Sequence, residues 1–395
     1  MSSNLHAESP PSGRLFEIPI SCSNLVQPDL ERFLGYSRIF FDAHRYTNDG
    51  PVSRQLESRL AAFHETSRCV AFSSGFWALV LAIKALAIPG RDEVVMPSLT
   101  YRRLADVVAW AGLVPRFCDV ELDTLAMSAQ TASAVMGPST ALLLAVHPIV
   151  NCCEIDELER LATESEVPLM VDSVESCYET YGGRKVGSFG RAEVFSLHAC
   201  KLLNGFEGGY VTTNDDELAD QLVYMRGFGF NGPDRVERLG VNAKLNEIHA
   251  AMTLASLDDL EAQVPRNRAR YAAYQAEFAD IPGIELVQFD ETEKCAFKNI
   301  VAELDERWPL ERDATVALLN AEGILARAYY APPLHQKSHS YEVRFDELPV
   351  TDELGERFVL LPCGARVSPS DIAVVASFLR RLASERAPVS QMSER

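Results

Sequence analysis

The sequence predicts an α/β fold: a mainly parallel, seven-stranded sheet covered by helices, followed by a smaller C-terminal α+β region. Three observations predict it. Between about residues 55 and 215, short apolar runs alternate with helical patterns, as repeated β-α-β units do. Ser73, Pro97, His147, Asp172 and Ser196 fall near the ends of those runs, so one edge of the sheet gathers the chemistry. At 395 residues, the chain also exceeds one ordinary domain.

Taken in order, Arg68–Phe72 reads as the first strand, closed by the turn Ser73-Ser-Gly75 that opens a helix over Phe76–Ala87. Glu93–Met96, Pro115–Val120 and Ala141–Val146 follow as strands, and Glu154–Ser165 as a helix. Pro168–Val171 ends at Asp172; Ala192–Leu197 leads toward Lys201; Gly209–Thr212 completes the set. Helix-like Asp216–Arg226 precedes a glycine-rich loop. A long helix over Leu245–Asp259 carries small apolar residues, as at a tight helix interface, and is expected to break at Pro265. The closing helix starts at the cap Ser368-Pro-Ser-Asp371 and runs to about Leu382. These elements divide the chain into an N-terminal arm (1–20), a large domain (21–260) and a small C-terminal domain (261–395). The polar ends, to about residue 15 and after Ala387, are expected to be flexible.

Composition narrows the function. Hydrophobic residues make up 47% of the chain, ample for a large core. A net charge of −19 argues against a nucleic-acid or membrane partner, since both favour basic patches. An anionic small substrate stays compatible, because a basic pocket can sit in an acidic exterior. The opening Met1-Ser-Ser-Asn-Leu-His lacks a charged start before an apolar stretch, and no run approaches the ~18 apolar residues of a membrane helix. Nine scattered cysteines, odd in number and without metal spacing, point to free thiols in a reducing cytoplasm.

The chemistry centres on Lys201, in Phe195-Ser-Leu-His-Ala-Cys-Lys201, which a glycine-bounded loop follows. Asp172 lies 29 residues upstream at the end of another apolar run. An amine and a carboxylate, each just past a buried strand, suit pyridoxal phosphate: the lysine holds the aldehyde as a Schiff base and the aspartate pairs with the ring nitrogen. Ser73-Ser74-Gly75-Phe76 reads equally as helix-start amides for a phosphate, with Ser196 adding a hydroxyl, and as an ordinary glycine turn before a buried helix. Tyr101, just past a strand, is open to two readings, a cover for the ring or an aromatic packed in the core. Gly227-Phe-Gly229-Phe-Asn-Gly232 matches the dinucleotide fingerprint by letter, but a helix precedes it and no apolar helix follows. No nicotinamide site is expected there, and none for a metal in His198-Ala-Cys200 with Cys152-Cys153, whose spacing is wrong for zinc.

Together these segments resemble the DegT-type, pyridoxal-phosphate-dependent aminotransferases that aminate keto-sugars. The likeness runs from about Thr47 to Leu382 through Thr47-Asn48-Asp-Gly-Pro51, Leu56-Glu57, Gly90-Arg-Asp-Glu-Val94, Pro97-Ser-Leu-Thr-Tyr101, Gly187-Ser-Phe-Gly190, Glu207-Gly-Gly209, Gly240-Val-Asn242-Ala-Lys-Leu-Asn-Glu247 and Tyr329-Tyr330 before Pro333-Leu-His335. The resemblance implies a fold-type-I transferase, working as a homodimer with shared sites. It implies Lys201 and Asp172 as catalytic, and Ser74, Gly75, Phe76, Tyr101, Glu175, Ser196 and Asn242 as cofactor-binding, Asn242 toward the neighbouring subunit's phosphate. Asn48, His147, Tyr330 and His335 are the substrate candidates. L-glutamate is the expected amino donor and a nucleotide-linked keto-deoxysugar the acceptor, with a lean toward 4-keto-6-deoxy sugars.

Three positions depart from the family pattern. Glu175 stands where glutamine or histidine is usual: either it is a protonated carboxyl donating to the cofactor's phenolic oxygen, the favoured expectation, or it points elsewhere, toward a substrate. Phe76 replaces a serine or threonine, keeping the amide and losing a hydroxyl. His147-Pro-Ile-Val-Asn-Cys-Cys replaces a His-x-x-Gly motif. Two alternatives stay open: a keto-cyclitol or other cyclic ketone as acceptor, and a catalytically silent, pyridoxal-phosphate-binding regulator.

Overall fold

A computed structural model describes residues 13–23, 26–232 and 235–385. The central sheet consists of β1 (Arg68–Phe72), β2 (Glu93–Pro97), β3 (Val114–Cys118), β4 (Thr140–Val146), β5 (Leu169–Asp172), β6 (Ala192–Ser196) and β7 (Gly209–Thr213). Their spatial order is β1-β7-β6-β5-β4-β2-β3. All neighbours are parallel except β7, which runs antiparallel to both β1 and β6. Every residue of β4 is buried, as expected of a strand covered on both faces. The seven strands fall within a residue or two of their sequence-predicted limits.

Helices α1 (Leu30–Asp42), α2 (Pro51–Phe63), α3 (Gly75–Leu86), α4 (Ile155–Ser165), α5 (Asp216–Arg226), α6 (Glu247–Asp258) and α7 (Leu260–Phe278) cover this sheet or lead from it. The start of α2 explains the glutamate that closes the Gly240–Glu247 segment. Glu247 is fully buried, and its carboxylate accepts from the Val52 and Ser53 amides at 2.7 and 3.0 Å and from the Ser53 hydroxyl. It therefore caps a neighbouring helix whose own cap residue, Gly50, has no side chain to do so. A Cβ on Gly50 would stand 2.4 Å from that carboxyl carbon, so the glycine is required by close approach. Glu247→Ala strands two buried amides and is expected to cost about 2–4 kcal/mol, read as an earlier midpoint in urea.

The helix predicted over Leu245–Asp259 is α6, Glu247–Asp258, but the break expected at Pro265 is not there. At Asp259 α6 stops and α7 begins, with Pro265 inside the second helix. The acidic pair at this junction has other partners: Asp258 accepts from Tyr36 (2.8 Å) and Arg59 (2.6 Å), and Asp259 from Arg32 (2.6 Å). Those tertiary bonds, rather than the proline, set the break.

Beyond it lies a four-stranded antiparallel sheet of β8 (Ile284–Leu286), β9 (Ile300–Leu304), β10 (Arg327–Ala328) and β11 (Phe358–Leu361), in the order β8-β9-β11-β10. Its core of Phe297, Ile300, Phe358, Val375 and Leu379 is continuous with Leu99, Ile149 and Val150 from loops of the first sheet. The two sheets thus share one apolar seam next to the ends of β2 and β4. Residues 13–23 run along this second unit, with Ile20–Ser21 parallel to Ile324–Leu325. The outermost segments expected to be flexible, 1–12 and 386–395, lie outside the described residues. Ser368 caps the final helix, Pro369–Glu385, in a reciprocal pair of bonds with Asp371. Among the described residues no helix is long and apolar enough to cross a membrane.

Candidate active site

Strand ends of the large sheet bring together residues that are far apart in the chain. Asp172 closes β5, 2% exposed, with Oδ1 accepting from the Val174 amide at 3.2 Å. Burial pushes its carboxyl up to about 6; the Val174 amide and Lys201 pull the other way without cancelling it. A buried carboxylate with one backbone donor is incompletely compensated, and it suits a cationic partner. One turn later Glu175 reaches Lys201: its Oε1 is in direct contact with Lys201 Nζ.

The phosphate end is built by close approach. Ser74 is the N-cap of α3, accepting from the Trp77 amide at 3.2 Å, so its hydroxyl serves the helix. The amides of Gly75 and Phe76 are left without a protein partner among the described residues, at the positive end of the helix dipole. Gly209 of β7 lies beneath: a Cβ there would stand 2.5 Å from both Gly75 N and Gly75 Cα. Ser196, which ends β6 opposite Gly209, has its Cβ 3.3 Å from where one on Gly75 would be. Gly209→Ala must lift the helix start off the sheet. It is expected to weaken pyridoxal phosphate binding about 10–100-fold in equilibrium titration, the scale of one or two lost bonds to a charged group.

Tyr101 is half exposed in the loop after β2, free to cover a flat ligand. Tyr330 lies among Tyr101, Asp172 and Glu175. Burial, then these neighbours and Tyr329, hold its phenol well above the usual range, so it is neutral. The remaining candidates are placed differently. Both ring nitrogens of His335 are taken, Nδ1 by the Ser98 hydroxyl at 2.7 Å and Nε2 by Asp352 at 2.9 Å. That ring pins the segment after Tyr330 to the end of β2 and has no nitrogen left for a substrate. The ring of His147 is 2% exposed and turned toward Cys153, whose amide donates to Nδ1 at 3.2 Å. Burial drives it down to about 3, and Nε2 has no partner. Asn48 is exposed before α2, bonded through its carbonyl to Arg45 at 2.5 Å. Asn242 is exposed and receives Lys244 at 2.9 Å.

Glu175 is paired with two ammonium groups here, rather than standing as the neutral donor expected beside the cofactor. Its second oxygen accepts from Lys298 Nζ at 2.5 Å and from Asn299 at 3.2 Å. Burial alone would raise this carboxyl, but the ammonium groups of Lys201 and Lys298 outweigh it and hold it well below the usual carboxylate range. Glu175 is therefore ionised. Sequence reasoning missed Lys298 and Asn299, although a lysine inside the apolar run Cys295-Ala-Phe-Lys-Asn-Ile-Val301 was a visible anomaly.

The Gly227-Phe-Gly229 segment follows α5 and folds back on Arg238–Val241, with the Phe228 amide on the Val241 carbonyl at 3.0 Å. Gly229 takes φ +78°, and a Cβ there would collide with the Arg238 carbonyl. Gly229 serves a tight backbone crossing.

Three features of this chain fit pyridoxal phosphate: an amine held at a carboxylate, an under-compensated buried acid, and free amides over a glycine cradle. With this fold, they mark the chain as a fold-type-I enzyme that uses the cofactor. More narrowly, it belongs to the DegT/DnrJ/EryC1/StrS aminotransferase family, whose pattern matches residues 31–380. It is a pyridoxal-phosphate-dependent aminotransferase. The chain is similar to the dTDP-4-amino-4,6-dideoxy-D-glucose transaminase of Shigella dysenteriae, 25% identical over 93% of this chain and 100% of that protein. It is 28% identical to the GDP-perosamine synthase of Caulobacter vibrioides, over 82% of this chain and 88% of that one. Among solved structures, DesI in the presence of its TDP-sugar product superposes with a TM-score of 0.89. The two are 33% identical, over 94% of this chain and 95% of DesI.

Proposed function

We propose that this aminotransferase moves an amino group from L-glutamate to a keto-deoxysugar carried on a nucleotide, for amino-sugar biosynthesis. The observation that carries the reading is the contact of Lys201 with Glu175 beside Asp172, within a chain similar along most of its length to enzymes named for TDP- and GDP-linked amino sugars. Bound pyridoxal phosphate supplies an electron sink for the pair left when a substrate carbon loses its proton. In this reading the protein does the rest. Asp172 holds positive charge at the ring nitrogen, the Gly75 and Phe76 amides with Ser196 bind the phosphate dianion, and Tyr101 covers the ring face. Lys201 Nζ holds the cofactor, then takes up and returns a proton. Tyr330, neutral beside Asp172 and Glu175, is a hydroxyl donor for a substrate oxygen.

A second copy of the chain completes the site in this proposal. Phe228 and Phe230, 47% and 46% exposed with rings 6.2 Å apart, lie beside exposed Asn242, which bridges to Gly227. Burial of these side chains against a partner fits a homodimer. All nine cysteines are free thiols, which supports a reducing, cytoplasmic setting.

The test is absorbance of the cofactor-loaded protein, first with L-glutamate alone and then with TDP- and GDP-linked 4-keto-6-deoxyhexoses. Glutamate is expected to bleach the visible band and one nucleotide sugar to restore it. A band that glutamate bleaches but only a cyclitol ketone restores would replace the sugar reading. A band indifferent to every amino donor would point to the silent regulator.

A further inference from the structure

Glu175 and Lys298 form a charged pair that the reaction described so far does not use. Lys298 comes from the turn before β9, in the second unit, and its side chain is 5% exposed. Among the described residues its ammonium has one hydrogen-bond partner, Glu175 Oε2. Burial lowers this amine, but Glu175 outweighs burial and lifts it above the usual lysine range, so the cation is retained. The carboxylate between them faces Lys201 Nζ on one side and Lys298 Nζ on the other. When Lys201 takes the cofactor, Lys298 is the full cation that Glu175 keeps.

The nearby Tyr329, Tyr330, Cys177 and Cys363 stay neutral at neutral pH. The Tyr329 and Tyr330 phenols are raised by burial, and the Cys177 and Cys363 thiols are pushed up to about 12 by it. The Cys200 thiol lies near Lys298, and Asp172 lies near Glu175. Charge at the cofactor-bearing nitrogen is thus governed by Asp172, Glu175 and Lys298.

We propose that Lys298 is a positioning residue for transamination, pairing with Glu175 so that carboxylate and ammonium together set the charge at Lys201. The pair also makes the site depend on the second unit, because Lys298 precedes β9 whereas Glu175 and Lys201 follow β5 and β6. This inference rests on the cofactor reading above.

The effects of the two members have opposite signs. A carboxylate in contact with the linkage nitrogen favours its protonated form, and a nearby ammonium disfavours it. The test is a pH titration of the visible absorbance of the loaded protein. Lys298→Met is expected to raise the midpoint and Glu175→Gln to lower it, each by about 1–3 units, the scale of one charge within a few ångströms. The double variant returns toward the wild-type value, and Lys298→Arg keeps it. Where Lys298→Met does not fold, Lys298→Gln removes the same charge, and Glu175→Gln alone must still lower the midpoint. Equal midpoints, or shifts of one sign, would leave the pair a purely structural tie and overturn the proposal. A wild-type protein without any visible band would instead overturn the cofactor reading itself, which keeps the two failures apart.

Discussion

Lys201→Ala is expected to lower the rate of amino transfer by at least about 10³-fold, since one side chain both holds the cofactor and shuttles the proton. The measurement is single-turnover kinetics with saturating pyridoxal phosphate, so that weak cofactor binding does not masquerade as slow chemistry. Lys201→Arg is expected to fail as well, because a guanidinium keeps charge and contact with Glu175 yet cannot serve as a nucleophilic amine. Neither variant should unfold the protein. Glu175 retains Lys298 and Asn299 as partners when Lys201 is gone, so no buried charge is stranded. A Lys201→Ala variant of near-normal activity would remove this residue from the chemistry.

Asp172→Asn is expected to slow transfer by about 10–100-fold, the loss of one charged partner at the ring nitrogen. The same change should stabilise the cofactor-free protein. Burial raises this carboxyl from an ordinary 3.8 to about 6. A carboxyl with a raised folded value binds its proton more tightly folded than unfolded. Its contribution is therefore most favourable below 3.8 and is lost as the pH climbs to about 6. Asparagine does not titrate. Thermal melts without cofactor should then show wild type and variant diverging as the pH rises through that window, with the variant melting higher at neutral pH. Adding pyridoxal phosphate should reverse the order, because only the carboxylate gains a cationic partner. An acidic residue retained against stability in the empty protein is what a site built for its ligand looks like.

The fold was largely legible because buried strands advertise themselves. Runs such as Ala141–Val146 are apolar throughout, and in the structure every residue of Thr140–Val146 is buried. Several family-like motifs turned out to report packing. Gly187 lies against the buried His64 ring, 2.4 Å from Nδ1 for a Cβ, and Glu57 bonds the Ala71 amide at 2.8 Å and pairs with Arg226. The apolar pattern placed the helix end at Asp259 correctly, but Pro265 does not break the chain there: it lies inside the next helix, Leu260–Phe278, and the junction carries the tertiary partners of Asp258 and Asp259.

Charge at the site was the part that sequence could not supply. Glu175 was visible as a departure, but its ionisation depends on Lys298, 123 residues away and reached only when the second sheet docks. A carboxyl judged alone beside a phenolic oxygen reads as protonated; the same carboxyl between two ammonium groups does not. His335 failed for a similar reason. An imidazole near a motif looks available until Ser98 and Asp352 are seen to hold both of its nitrogens.

The central claim is that Lys201, and no other amine, carries the cofactor. Borohydride reduction of the loaded protein, followed by peptide mass mapping, tests it most directly, because Lys298 lies across the same carboxylate as an internal control. The predicted result is a phosphopyridoxyl group on the peptide containing Lys201. The group on Lys298, or on neither lysine, would contradict it.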